Sequence, residues 1–139
     1  VYIPEDYVEA LDVRLGLYRR VGMLRTKPDI DAFLVEVEDR FGPIPEPVLN
    51  LLKTVEFKIK ARAARVEKLD VGPKGIVVGF REDRFSKPDK LIAWIRANSQ
   101  TLAIRPDQRL VFKRRIETDE ERKKGILSLL NNLEKLAAA

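Results

Sequence analysis

Apolar residues recur at three- and four-residue spacing through the first half of the chain, then switch to short β-rich runs, then return to helical spacing at the end. The best-patterned stretch is Ile30 to Pro47. On a wheel of about 100° per residue, Ile30, Phe33, Leu34, Val37 and Phe41 fall in one arc, as in a core-facing helix. Thr26-Lys27-Pro28-Asp29 precedes it as a capping box, and Gly42-Pro43 stops it: the glycine is free to turn left-handed and the proline cannot continue a helix. Before this helix, Pro4 closes an extended entry and Val8, Leu11, Leu15, Tyr18 and Val21 mark a first helix. After it, Pro45-Glu46-Pro47 forms a corner. A third helix then buries Val48, Leu51, Leu52, Val55, Ile59 and Ala63 and runs to about Arg65.

Val66 to Val71 and Ile76 to Phe80 read as a hairpin joined by Gly72-Pro73-Lys74-Gly75. Ser86-Lys87-Pro88-Asp89 repeats the capping pattern before a short helix with Leu91, Ile92, Trp94 and Ile95, where Trp94 is expected in the core. Thr101 to Arg105 and Arg109 to Lys113 form a second strand pair. Thr118 caps a closing helix with Ile126, Leu129, Leu130, Leu133 and Leu136. The fold class expected is α+β in one domain, residues 1–139: three N-terminal helices, a small antiparallel sheet of about four strands with an inserted helix, and a C-terminal helix. The strand order is left open.

Charge and composition narrow the function. The 139 residues hold no cysteine and no histidine. Disulfides, thiol nucleophiles, histidine-based triads and zinc sites of the usual nitrogen and sulfur type are therefore excluded. No apolar run approaches the ~20 residues of a membrane span. Acidic residues near the start oppose a signal peptide, so a cytoplasmic location is expected, and an opening Val1 is what an excised piece of a longer protein would show. The net charge is +5, yet Asp29 to Glu46 carries six carboxylates against Arg40 alone. Glu36 and Asp39 face away from the apolar stripe, with Ala32 and Val35 beside them on the outward ridge. That ridge is either a solvated helix face or an acid-rimmed docking surface for a basic partner.

Three other chemistries bear on the sequence. The basic cluster of Lys113, Arg114 and Arg115, with Lys123 and Lys124, could serve a nucleic-acid module, although it lacks interleaved aromatics. Gly72-Pro73-Lys74-Gly75 lacks the spacing of a phosphate-binding loop. Glu36 and Asp39 alone make a poor cation site, so neither a metal nor another cofactor is expected, and no enzymatic activity of this chain.

Four segments carry a resemblance: Ile3 to Val8, Arg14 to Arg20, Glu38 to Val48, and Gly72 to Gly75. Together they resemble the C-terminal domain of Mfd, the bacterial transcription-repair coupling factor; the match thins after residue 81. The resemblance implies a regulatory domain without an active site. Its parent would be an ATP-driven DNA translocase that displaces stalled RNA polymerase and recruits UvrA. The domain would dock on the UvrB-like N-terminal module of the same protein and cover the UvrA-binding surface, with no DNA contact of its own expected. By that analogy the acidic residues before Arg40-Phe41-Gly42 make the contact, which here are Glu36 and Asp39, with Val35 and Ala32 as the apolar centre and Arg40 beside them.

Overall fold

In the computed structural model, which describes residues 2–139, the chain divides into two compact units, Val1–Ile59 and Lys60–Ala139. The first is helical. Three helices, α1 (Leu11–Val21), α2 (Lys27–Phe41) and α3 (Glu46–Ala63), follow an N-terminal turn in which the Pro4 carbonyl accepts from the amides of Tyr7 and Val8. Val8 is buried in that turn, outside the helix. The helix it precedes buries Leu17 and Val21, while Leu11, Leu15 and Tyr18 are exposed. The expected stripe therefore holds at Val8 and Val21 and fails at Leu11, Leu15 and Tyr18. Starting the helix at Val8 sets the phase to Leu11 and Leu15; starting it at Leu11 leaves Val13, Leu17 and Val21 as the inward line.

At the head of α2 both halves of the expected capping box form: Asp29 N donates to Thr26 Oγ1, and the Asp29 carboxylate accepts from the Thr26 amide. Ile30, Phe33 and Val37 are buried against Leu17, Val21, Val48 and Leu52. The stop at Gly42 differs from expectation. It has φ 92° and ψ −168°, a glycine-favouring backbone that is extended in ψ and not the left-handed helical turn. Tyr7 fastens this end of α2, donating its hydroxyl to the Gly42 carbonyl at 2.8 Å and tilting its ring onto Phe41.

The second unit is a sheet with two helices. Strands β1 (Val66–Gly72), β2 (Gly75–Phe80), β3 (Leu102–Ile104) and β4 (Leu110–Lys113) pair antiparallel in the order β1-β2-β4-β3. A register shift between Val66 and Lys68 kinks the start of β1. Alternate residues Ile76, Val78 and Phe80 face a core completed by Leu102 and Leu110, by Leu91 of α4 (Pro88–Ala97), and by Leu129 and Leu133 of α5 (Asp119–Ala138). Trp94 packs against this core half-buried. Thr118 caps α5 as expected, accepting from Glu121 N. Ser86 does not cap α4: the capping position is Lys87, with no side-chain bond, and Pro88 opens the helix.

The β1–β2 turn is Pro73-Lys74, flanked by the paired Gly72 and Gly75. Its carbonyls are taken by the chain leaving β4, with Arg114 N donating to Lys74 O and Ile116 N to Pro73 O. Gly75 has φ 148°, and a Cβ there would lie 2.1 Å from the Phe112 carbonyl oxygen. Among the described residues no helix is long and apolar enough to cross a membrane.

Candidate docking surface

The acidic ridge of α2 is where its periodicity places it, on the side opposite Ile30, Phe33 and Val37. Ala32 and Asp39 are exposed, and Val35 is 69% exposed, the behaviour of an apolar side chain without a partner in its own domain. Asp31, Ala32, Val35, Glu36, Glu38 and Asp39 line a shallow open depression of about 750 Å³. A second depression of about 380 Å³ adjoins it between α1 and α2, where Met23 stands 71% exposed. The surface is thus a valine and an alanine set among carboxylates, with a methionine at its border.

The carboxylates differ in how free they are. Glu36 accepts two bonds from the Arg20 guanidinium, at 2.5 Å and 2.9 Å, and lies 3.7 Å from Arg40. The bidentate fork ties α1 to α2. Arg20 is also 5.2 Å from the Phe33 ring centroid, so it roofs a core residue while holding Glu36. Asp31 pairs with Lys27 at 2.9 Å. Glu38 and Asp39 have no ion pair among the described residues. Arg40 rests over the Phe41 ring at 4.8 Å. The ridge therefore presents Asp39 and Glu38 as available charges, while Glu36 and Arg40 are engaged within the unit. Sequence periodicity located Ala32, Val35, Glu36 and Asp39 together. It passed over Glu38, whose neighbour Asp39 was the available signal, and Met23. The Arg20–Glu36 fork bridges two helices, and no local spacing announces it.

The fork has a pH signature. Hydrogen bonds from Arg20 hold the Glu36 carboxyl below its ordinary value of 4.5, outweighing an opposing loss of hydration, and the charges of Arg20 and Arg40 add smaller pulls in the same direction. Because the folded value is the lower one, the stabilisation is present above 4.5 and disappears as pH falls through the lowered value. Urea denaturation of wild type and Arg20→Gln from pH 7 downward is expected to show the stability difference shrinking below pH 4.5, to the remainder set by the Arg20 contact with Phe33, once Glu36 is protonated.

The other candidate chemistries are placed as follows. Among the described residues no cluster of three or more carboxylates is arranged to hold a metal ion, and Glu36 and Asp39 lie on an open helix face. In the basic cluster, Arg115 pairs with Glu117 at 2.8 Å, Lys124 with Glu120 at 3.5 Å, and Arg114 lies 6.0 Å from the Phe112 ring centroid. Lys113 and Lys123 are exposed.

Comparison with known proteins adds to this geometry. The family described as TRCF domain matches residues 1–91. The transcription-repair-coupling factor of Rickettsia bellii is 34% identical over 116 residues, 84% of this chain and 10% of that protein. That of Escherichia coli K12 is 27% identical over 137 residues, 99% of this chain and 12% of that protein. This chain thus spans about a tenth of the length of these curated relatives. A crystal structure of the C-terminal domain of a transcription-repair coupling factor superposes with a TM-score of 0.72 at 21% identity, covering 99% of this chain and 89% of that one, which places the fold. The family model and the sequence likeness agree, and the chain belongs to the TRCF domain family of transcription-repair coupling factors.

Proposed function

We propose that this chain is the C-terminal regulatory domain of a bacterial, cytoplasmic transcription-repair coupling factor. It performs no chemistry itself and docks through α2 on the UvrB-like N-terminal module of the same protein, masking the surface that binds UvrA. The parent would be the ATP-dependent DNA translocase that meets stalled RNA polymerase. The observation that carries this reading is Val35, largely exposed within a ring of carboxylates of which Asp39 and Glu38 have no ion pair among the described residues.

An apolar centre with an acidic rim suits a basic surface, and rim charges give orientation more than affinity. Exposed pairs contribute roughly 0 to 1 kcal/mol each, so such a contact is weak in isolation. Tethering in one polypeptide raises the effective concentration to the order of millimolar, enough to keep a weak contact closed yet displaceable. Within the ridge, Asp39 and Glu38 supply the orienting charges. Glu36 contributes by sharing Arg20, and Arg40 by bracing Phe41.

The test is calorimetric binding of this chain to the UvrB-like module at low salt, repeated with UvrA as competitor. Val35→Asp combined with Asp39→Lys is expected to leave the fold intact and weaken binding by roughly tenfold or more. Glu36→Ala should have a smaller effect on binding and a visible one on stability. Unchanged affinity in the double variant, or no competition by UvrA, would refute the docking role.

A further inference from the structure

The sheet of the second unit has two faces, and only one is filled within that unit. Ile76 and Val78 point into the core, so Val77 between them points outward. Register places Asp70, Val77, Val111 and Ala103 in one row across all four strands on this outer face. Gly72, Gly75 and Lys113 form the row on one side; Lys68 and Gly79 are paired on the other. An antiparallel sheet with one wet face normally alternates apolar inside and polar outside. Here the outward positions of the central strand are glycine, valine and glycine, with a second valine alongside. Gly72 and Gly75 leave a trough of about 650 Å³ floored by Val77 and Val111, while Gly79 lies beyond it, covered by the Lys68 and Arg109 side chains.

Charge at the edges is one-sided. Lys74 and Lys113 flank one end of the trough, Asp70 lines the other, and Lys68 stands in the row just beyond it; among the described residues none of the three lysines has an ion pair. The acids of this neighbourhood are already engaged: Asp70 lies 4.0 Å from Arg109, and Asp107 pairs with Arg105 at 2.7 Å. What is left is an apolar floor with two unpaired lysines at one end and, past the Asp70–Arg109 pair, Lys68 beyond the other.

We propose that this outer sheet face is a second docking surface, independent of the α2 ridge, and that it receives a short amphipathic helix of a protein partner with carboxylates at both ends. A helix completes the layer that an open sheet face lacks, whereas an added strand would go to an edge. From the Lys68 row to the Lys113 row is four residues of strand, about 13 Å, which two to three helical turns span. Valines in place of aromatics argue against nucleic acid, which needs stacking platforms on such a face.

The experiment is titration of the ¹⁵N-labelled full chain at low salt with a synthetic three-turn helical peptide carrying leucines on one stripe and glutamates at both ends. Saturable amide shifts are expected at Gly75, Val77, Gly79 and Val111, with α2 unmoved. Lys74→Glu with Lys113→Glu, both exposed and safe for the fold, should weaken binding about tenfold, as should added salt. A peptide with lysines for the glutamates should not bind. Four results would each overturn the proposal: no saturable shifts at the face; equal binding of the lysine peptide; the same shifts from a single-stranded oligonucleotide at lower concentration; or concentration-dependent shifts without peptide, which would assign the face to a second copy of the chain.

Discussion

Gly75→Ala is expected to destabilise the chain by about 3 kcal/mol or more, read as a fall in the urea midpoint without a change in slope. Two costs coincide at this position. The backbone sits at φ 148°, where side chains are rarely accepted, and the added methyl would meet the Phe112 carbonyl oxygen at 2.1 Å and the Lys113 Cα at 3.1 Å. Those are backbone atoms of the neighbouring strand, so no rotamer can clear them; β2 and β4 would have to separate. The separation would also disturb the Arg114 N to Lys74 O bond that closes the hairpin tip. Gly72→Ala is the control. It faces Gly75 across the turn but has open space around its missing Cβ, so its loss should stay below about 1 kcal/mol.

Phe33→Ala is expected to cost about 3 to 5 kcal/mol, the range for deleting a buried aromatic ring. Phe33 is 3% exposed in the core of the first unit, and its ring supports the Arg20 guanidinium that grips Glu36. Far-UV circular dichroism against urea measures the loss. The comparison with Val35→Asp is instructive because the two positions are two residues apart on one helix. Val35 is 69% exposed, so its change should alter stability by no more than about 0.5 kcal/mol while weakening docking. Phe33→Ala should do the reverse first, lowering stability, and affect docking only through the ridge it holds in place. Equal stability losses at the two positions would mean that the ridge is packed against something in the folded chain.

The features that periodicity and turn chemistry exposed were local ones. Thr26 and Asp29 announce the start of α2 because both halves of the box are within four positions. Gly72-Pro73-Lys74-Gly75 announces a hairpin because glycine and proline restrict the backbone there. The exposed ridge followed from the same wheel that found Ile30, Phe33 and Val37. In α1 the wheel was ambiguous: the helix carries two apolar lines, Leu11 with Leu15 and Leu17 with Val21, and only tertiary packing selects between them. Ser86 failed as a cap because the helix begins after Lys87. Lys27 before Pro28 is helical in α2 while Lys87 before Pro88 is not in α4, so the same four-residue pattern does not by itself choose the capping position. The engagement of Glu36 by Arg20, the β2–β4 pairing and the row from Asp70 to Ala103 join residues distant in sequence, and spacing carries no signal of them.

The kink at the start of β1 bears on how this sheet behaves in a crowded solution. A sheet with one bare face would be a hazard if its outermost strands were also long and straight, because unpaired amides and carbonyls recruit further strands. One outermost strand, β3, is only three residues long, and the other, β1, is bent between Val66 and Lys68 and studded with Glu67, Lys68 and Asp70. Such borders discourage ladder-by-ladder growth into fibrils. The protein can therefore keep its bare face without offering other chains a template along its rims.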